Sequence, residues 1–218
     1  MKRSGQLSAW CAAICLVAGL ILLAGCNKPQ QKTTDFDGEA EEGASVKKGV
    51  TPQADAQVAV METDYGRIVI ELYPNVAPKM VERFKKLVSE GFYNGTTIHR
   101  IDPQLGIIQG GDPNSKDDDP RNDGAGSSPY PNVPAEFSDI PYERGTVGAA
   151  RTTDVNSANC QFYITLKRQP DFDQRYTVFG RVIEGIGNAD IISNAPVTPG
   201  TDHPSDRIIV KSITLQQK

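Results

Sequence analysis

Residues 98–112 read IHRIDPQLGIIQGGD, and this stretch carries the signals from which the fold can be assigned. Apolar residues lie on both sides of Pro103, so the stretch predicts two short strands joined by a turn. Arg100 and Gln109 are polar residues within these two strands. They fit a catalytic site, a phosphate-binding loop at the two following glycines, or a packed strand pair with polar ends.

Length and composition limit the classes of protein that fit this chain. Its 218 residues suggest one domain with appendages. The hydrophobic fraction of 38%, together with 20 glycines and 15 prolines, indicates a loop-rich domain accompanied by sequence that does not fold. The formal net charge is −4 and no basic patch of the nucleic-acid type is present, so nucleic acid is not expected as a partner.

The N-terminus predicts a lipoprotein signal. A basic start precedes an apolar run at residues 12–23, which has the length of a signal-peptide core and is too short to span a bilayer comfortably. Residues 23–26 read LAGC and resemble a bacterial lipobox. We therefore predict that residues 1–25 are removed and that Cys26 is lipidated, which gives an extracytoplasmic, membrane-anchored protein. An ordinary signal peptide with a chance cysteine is the alternative.

The region after the lipobox predicts a tether and then a folded domain. Residues 26–56 comprise the lipidated cysteine and a polar stretch that lacks enough large apolar residues to fold, so we expect a flexible tether. The domain is predicted to span residues 57–218. Cleavage leaves Cys160 as its only cysteine, so no internal disulfide is expected.

Periodicity predicts a sheet with two helices. Residues 58–72 carry a hairpin pattern, and a helix is expected to begin at Pro78 and to end at Gly91. Its predicted buried face has helical spacing and comprises Met80, Val81, Phe84, Leu87 and Val88. Further elements are predicted as strands at 146–149, 161–166, 177–182 and 207–215 and as a helix at 187–193. Many short strands with two helices suggest a closed or nearly closed antiparallel β-barrel.

Several kinds of chemistry find no support in the sequence. The glycines after Gln109 belong to no phosphate-loop motif. His99 and His203 are the only histidines and lie in no cluster with metal-ligand spacing, so no metal site is predicted. Cys160 has no sequence sign of an activating histidine and is interpreted as an inert buried thiol. The Asp-rich loop at 112–134 lacks EF-hand spacing and is interpreted as solvated.

The remaining motifs resemble those of the cyclophilin family, in particular its short bacterial forms. The stretch IHR with Pro103 and IQGGD is followed, in the family's order, by PAEF at 134–137, RGTV at 144–147, ART at 150–152, SA at 157–158, QFYI at 161–164 and YTVFGRV at 176–182. The resemblance covers residues 57–217. It implies a closed eight-stranded antiparallel β-barrel capped by two α-helices. It also implies peptidyl-prolyl cis/trans isomerase activity on proline-containing polypeptides, with no cofactor.

The chemistry of this activity suits Arg100. Rotation about an X-Pro bond is opposed by amide resonance, with a barrier of about 18–20 kcal/mol. Rotation leaves a lone pair on the proline nitrogen, so a donor aimed at that nitrogen stabilises the twisted state more than either planar state. Arginine stays charged at any relevant pH and its planar fork can serve two acceptors. A strand-end salt bridge is the alternative role for Arg100.

The resemblance also implies the residues that hold the substrate. Gln109 is expected to act with Arg100 by hydrogen-bonding substrate backbone, and Ala150 and Arg151 are expected to line the groove through their own backbone. The proline pocket and the adjacent groove are assigned to Leu105, Ile107, Ala150, Arg151, Tyr163, Phe172 and Tyr176. Spacing alone would equally allow core roles for Leu105, Ile107 and Phe172. His99 is interpreted as a structural strand residue.

The sequence departs from the family pattern at four points, one of which is an Asp-rich loop after Asp112 that is longer than in the compact bacterial forms. One additional residue lies between Pro103 and Gln109, where Leu105 and Gly106 replace a usual aromatic. Tyr163 stands where a phenylalanine is usual, and its hydroxyl needs a partner or a water. Asp171 stands where many members carry a cyclosporin-contacting tryptophan, so weak cyclosporin binding is expected.

Three hypotheses follow from the sequence. The leading one is a monomeric, lipid-anchored cyclophilin-type isomerase that assists protein folding outside the cytoplasm. The second is a chaperone module that binds proline-containing peptides with little turnover, motivated by Tyr163 and the changed turn. The third is a structural envelope lipoprotein, against which the Arg100 and Gln109 pair argues.

Overall fold

The computed structural model describes residues 44–218, in which eight strands and two α-helices are defined. The strands are β1 (Gln57–Thr63), β2 (Gly66–Leu72), β3 (Ile98–Asp102), β4 (Ile107–Gly110), β5 (Thr146–Ala149), β6 (Phe162–Thr165), β7 (Val178–Glu184) and β8 (Val210–Gln217). The helices are α1 (Pro78–Ser89) and α2 (Ile186–Ser193). Short 3-10 turns lie at Pro113–Lys116, Pro120–Asn122 and Pro170–Phe172. The predicted signal peptide and Cys26 lie outside the described residues.

The sheet is an open half-barrel. Its strand order is β3-β4-β6-β5-β7-β2-β1-β8, and every neighbouring pair is antiparallel. The mainly β architecture with two helices is confirmed, but the predicted closure is wrong. Between the edges formed by β3 and β8, the bridge between Thr97 and Ile209 is isolated. Further along β3, the backbone N–H of Ile101 donates to the Asp202 carbonyl in a turn that contains Pro204 and forms no strand.

Helix α1 covers one side of the sheet. Its five predicted core residues are all buried, and Pro78 is its first residue as predicted. The ring of Phe84 lies 5.3 Å from the ring of Tyr93, 5.7 Å from that of Phe162 and 5.3 Å from that of Phe179. Aromatic pairs at these distances add to the stabilisation from apolar burial. The main core therefore lies between α1 and the sheet, where Phe84 is central.

The N-terminus of α1 is capped from a distant part of the chain. Ala77 occupies the N-cap position and offers no side-chain acceptor. The carboxylate of Glu136 accepts from the backbone N–H of Lys79 at 3.1 Å and of Met80 at 2.9 Å. A carboxylate at this end also complements the helix dipole. The backbone N–H of Glu136 donates to the Thr177 hydroxyl at 3.0 Å, which joins the helix to the start of β7.

Residues 47–56 are held against the domain, although the sequence places them in the flexible tether. The backbone of Lys47 exchanges hydrogen bonds with Phe137 and Asp139, and its Nζ donates to the Val76 carbonyl at 2.8 Å. Near the other end, Asp55 accepts from Lys85 Nζ at 2.8 Å. This part of the predicted tether is therefore structured. Composition missed it because short polar segments can dock through backbone bonds without burying much apolar surface.

Candidate active site

Four strands place a row of residues side by side. Arg100 on β3 lies opposite Gln109 on β4, Gln109 lies opposite Tyr163 on β6, and Tyr163 lies opposite Gly148 on β5. Residues directly opposite each other in neighbouring strands share a face of the sheet. The two residues predicted to be catalytic are therefore adjacent, and a predicted pocket residue follows them in the same row.

An apolar cluster separate from the main core lies beside this row. Six of the predicted pocket residues belong to it or pack against it: Leu105, Ile107, Ala150, Tyr163, Phe172 and Tyr176. The Phe172 ring lies 5.6 Å from that of Tyr163 and 5.0 Å from that of Tyr176. The sequence left open whether Leu105, Ile107 and Phe172 are ordinary core residues. They instead group with aromatic residues outside the core that α1 covers.

The side chain of Arg100 is oriented by two carboxylates. Its Nη2 donates to Asp102 Oδ2 at 3.0 Å and its Nε donates to Asp202 Oδ2 at 3.1 Å. Two bonds to different edges of a planar guanidinium fix both its position and its plane. Neither acid is predicted to have a role from the sequence. The period-2 spacing of Arg100 and Asp102 could have identified the first, whereas Asp202 is 102 residues away.

Gln109 is held by a second glutamine. Its Nε2 donates to Gln161 Oε1 at 3.0 Å, and Gln161 Nε2 donates to the carbonyls of Gly124 and Gly126, both at 3.0 Å. Gln109 Oε1 is buried and has no hydrogen-bond partner among residues 44–218. A buried acceptor without a partner is costly unless a ligand supplies a donor. Gln109 Oε1 is therefore the unsatisfied acceptor of this glutamine pair, in a residue that is fully buried.

The side chain of Arg151 is held within the protein, and the role of its backbone in lining the groove stays a prediction. Its guanidinium donates to the carbonyls of Thr152 at 2.8 Å and Arg175 at 3.1 Å. It also lies 4.3 Å from the centre of the Tyr176 ring, within the range of a cation–π interaction. Arg151 therefore fixes the position of Tyr176. The predicted groove residue Ala150 is held by a bond from its N–H to the Gln161 carbonyl at 3.0 Å.

The hydroxyl of Tyr163 has a protein partner. It donates to the hydroxyl of Tyr142 at 3.1 Å, and both rings are fully buried. Burial raises the pKa of Tyr163 well above its ordinary value, so the phenol remains protonated. Gly148 leaves room for the pair, because a Cβ there would lie 2.5 Å from Tyr163 Oη and 2.8 Å from Tyr142 Oη. The substitution of tyrosine for phenylalanine is thus accommodated behind the site.

We predict that Gly148→Ala destabilises the protein by about 1–3 kcal/mol, because the added methyl group overpacks the space that the two phenols fill. Urea unfolding measures the free energy of unfolding. Gly187→Ala is the matched control, since a Cβ at Gly187 has no atom within 4 Å. Equal effects of the two substitutions would contradict the proposed packing.

The turn that contains the additional residue is also defined. Gly106 has a φ of 61°, a left-handed conformation that glycine adopts without strain. The N–H of Leu105 donates to Asp102 Oδ1 at 2.8 Å, and the Gly106 carbonyl accepts from the Leu166 N–H at 2.7 Å. The additional residue is thus absorbed in the turn, and Leu105 remains packed against the apolar cluster.

The Asp-rich loop after β4 has structural roles. The buried Asp112 carboxylate accepts from the N–H of Asn114 at 2.8 Å and of Gly126 at 3.2 Å, which closes the loop on itself. Asp119 pairs with Arg121, and Asp118 pairs with Arg207.

No group of three or more His, Cys, Asp or Glu side chains in the described range could hold a metal ion. In the same range, no helix has the length and apolar character needed to cross a membrane.

Comparisons with known proteins agree on one family. The model of the family described as cyclophilin type peptidyl-prolyl cis-trans isomerase/CLD matches residues 58–215. A probable peptidyl-prolyl cis-trans isomerase of Brucella suis is 40% identical over 164 residues, which cover 73% of this chain and 83% of that protein. A peptidyl-prolyl cis-trans isomerase of Acinetobacter baylyi is 36% identical over 166 residues, which cover 72% and 84% of the two chains.

Solved structures show the same relationship. A cyclophilin type peptidyl-prolyl cis-trans isomerase of Cryptosporidium parvum aligns with a TM-score of 0.67 and 29% identity, covering 74% of this chain and 98% of that one. A second structure of that protein, in the presence of the dipeptide Ala-Pro, aligns with a TM-score of 0.66 and 28% identity, with coverage of 74% and 99%.

Proposed function

The chain belongs to the cyclophilin-type peptidyl-prolyl cis-trans isomerase family, and from this premise we propose that Arg100 catalyses its isomerisation of X-Pro bonds. The observation that carries the proposal is the row of Arg100, Gln109 and Tyr163 across three strands, next to an apolar cluster. Rotation of a prolyl amide requires a charged donor for the proline nitrogen, an acceptor for the N–H of the substrate backbone and an apolar wall for the proline ring.

The proposed mechanism is stabilisation of the twisted amide. Asp102 and Asp202 hold the guanidinium plane, so Arg100 meets the developing lone pair on the proline nitrogen without first reorganising. Gln109 Oε1 accepts from a substrate N–H and fixes one side of the rotating bond. Rotation makes and breaks no covalent bond, so these groups need neither a nucleophile nor a transferred proton.

We assign the proline ring of the substrate to the apolar cluster. Ile107, Phe172 and Tyr176 are buried side chains of a dry apolar cluster beside the row, which is the environment that a pyrrolidine ring prefers, and Arg151 holds the tyrosine in place. The structure of the Cryptosporidium parvum relative in the presence of Ala-Pro supports a proline-containing peptide as the ligand. Because one chain contributes every residue of this site, we expect the protein to act as a monomer.

Turnover of a cis-proline peptide tests the function directly. We expect the protein to accelerate the return to the trans isomer, which takes tens to hundreds of seconds without a catalyst. A chemical-shift titration with the same peptide reports binding independently of turnover. Binding without acceleration would favour the chaperone module over the isomerase.

We further propose that the protein is an extracytoplasmic lipoprotein anchored through Cys26 and that it assists the folding of exported proteins. The support is the LAGC sequence at residues 23–26 after an apolar run. Labelled palmitate is expected to be incorporated by the wild type and not by Cys26→Ser, and the variant is expected to leave the membrane fraction. Equal labelling of the two proteins would rule out an anchor at Cys26.

A further inference from the structure

A basic groove lies between α1 and the loop that precedes β5. Its cavity has a volume of about 380 Å³. The lining residues are Lys79, Glu82, Arg83 and Lys86 on α1 and Tyr130, Pro131, Asn132, Val133 and Pro134 in the loop. Three of the four charged residues in this lining are cationic. None of these residues belongs to the row or the apolar cluster to which the isomerase activity is assigned.

The cations of the groove are arranged around an aromatic ring. Lys86 Nζ lies 3.9 Å from the centre of the Tyr130 ring and the Arg83 guanidinium carbon lies 5.3 Å from it. The Tyr130 hydroxyl donates to Glu90 Oε1 at 2.6 Å, so the ring is fixed at its outer end. Arg83 Nη1 is buried and has no hydrogen-bond acceptor within residues 44–218. A buried cationic donor without an acceptor favours a ligand that carries carboxylate oxygens.

The backbone directs the chain's own N-terminal region toward this groove. Lys47 forms a parallel bridge with Ser138, with its N–H donating to the Phe137 carbonyl and its carbonyl accepting from the Asp139 N–H. In a parallel pair the two segments run in the same direction. The described residues 44–46 therefore lead back from Lys47 in the same direction as residues 135–137 lead back from Ser138. Residues 130–134, which form the groove wall, come directly before residues 135–137. The described residues begin at 44, three positions before the bridge.

The sequence just before this point is strongly acidic. Residues 35–42 read DFDGEAEE and contain five carboxylates and no basic residue. An extended segment of this length spans roughly 25 Å at about 3.3 Å per residue. Lys79 and Lys86, at the two ends of the cationic face, are separated by about 10 Å along the helix axis. The acidic segment is therefore long enough to cover the groove while the chain remains attached at Lys47.

We propose that residues 35–42 of this chain dock in the basic groove, with their carboxylates on Lys79, Arg83 and Lys86. The attachment at Lys47 makes the contact intramolecular, which raises the effective concentration of the acids at the groove. The contact depends on charge, so salt weakens it as the Debye length falls from about 10 Å at 0.1 M to about 3 Å at 1 M. It fixes the path of the chain between Cys26 and the domain.

Zero-length carbodiimide cross-linking of the full chain tests the proposal, because it joins a carboxylate to a lysine only where the two are in contact. Mass spectrometry is expected to find residues 35–42 linked to Lys79 and Lys86 about fivefold or more above links to Lys116 or Lys211, as an intramolecular contact requires. Arg83→Gln is expected to lower the yield several-fold, whereas Arg67→Gln, which removes the same charge from an exposed position on β2, leaves it unchanged. Equal yields at all four lysines would overturn the proposal.

Two further measurements show whether the acidic segment binds the groove of its own chain or that of a second copy, and whether it shields the groove at all. Mixing isotopically labelled and unlabelled chains shows whether a link joins one chain or two, and links only between chains would overturn the intramolecular contact in favour of a second copy. Replacing the five acids of residues 35–42 with their amides removes the negative charge of the segment and changes no residue within 44–218. This change is expected to raise the acetylation rates of Lys79 and Lys86 two- to fivefold and to leave Lys211 unaffected, since an intramolecular acid segment shields only the groove. Unchanged rates would also overturn the proposal.

Discussion

Arg100→Ala is expected to lower kcat/KM for a cis-proline peptide by about 100- to 1000-fold, the usual loss when a preorganised donor to a developing charge is removed. The alanine variant keeps Gln109 and the apolar cluster, so peptide binding should fall much less than turnover. Exchange spectroscopy measures both quantities in one sample. Unchanged turnover in Arg100→Ala would refute the proposed catalytic role.

Two variants distinguish the effect of the positive charge of Arg100 on activity from the effect of the orientation of its side chain. Arg100→Lys keeps the positive charge but cannot hold both Asp102 and Asp202 with a planar fork, so we expect intermediate activity. Asp102→Asn keeps the arginine and loses a charged acceptor, and we expect a loss of up to about tenfold in kcat with little change in KM. The unfolding temperature of each variant is measured alongside its activity, because the Arg100–Asp102 pair is largely buried and loss of one partner lowers stability.

Acid should destabilise the protein through His99. The imidazole is buried, and burial lowers its pKa from 6.5 to about 3, with the charges of His203 and Arg100 acting in the same direction. In the unfolded chain the same imidazole binds a proton below about pH 6.5. The unfolded state therefore binds more protons between pH 6.5 and 3, and stability falls by about 1.4 kcal/mol per pH unit in that window.

Urea unfolding of the wild type and His99→Phe at a series of pH values measures this effect. The gap between the two stability curves should be constant above about pH 6.5 and should change by about 3 kcal/mol by pH 4.5 in favour of the variant. Asp123 changes the stability with pH in the opposite direction, because burial and the charge of Asp112 raise the pKa of its carboxyl to about 6. Its contribution is present in both proteins and cancels in the difference. Parallel curves down to pH 4 would exclude His99 as the acid-sensitive group.

Local patterns predicted α1 and the strand positions well. The apolar spacing from Met80 to Val88 defines one helix face, and its burial follows from periodicity alone. The closure of the sheet could not be predicted in this way. It depends on whether β3 meets a strand, and the polar turn around Asp202 and Pro204 lies there instead. Which segment faces a sheet edge is a tertiary property that no local pattern contains.

The sequence predicted which residues lie together near Arg100, but it did not predict most of the groups that hold them in place. The resemblance identified Arg100, Gln109 and the pocket residues that the structure brings together. Two of the groups that orient them, Asp202 and Tyr142, lie in irregular segments where periodicity carries no information. Arg151 shows a further limit of prediction from the sequence, because its position near the groove was predicted but the direction of its side chain was not.

The pairing of β1 with β8 has a consequence for biosynthesis. These strands come from opposite ends of the domain, and Met61 lies opposite Ile213 in their ladder. Such distant pairings form late, since a long loop must close before its contacts are gained. The sheet cannot be completed until the last strand has left the ribosome. A chain that remains incompletely folded throughout translation is suited to passage through a narrow membrane channel, as the proposed export requires.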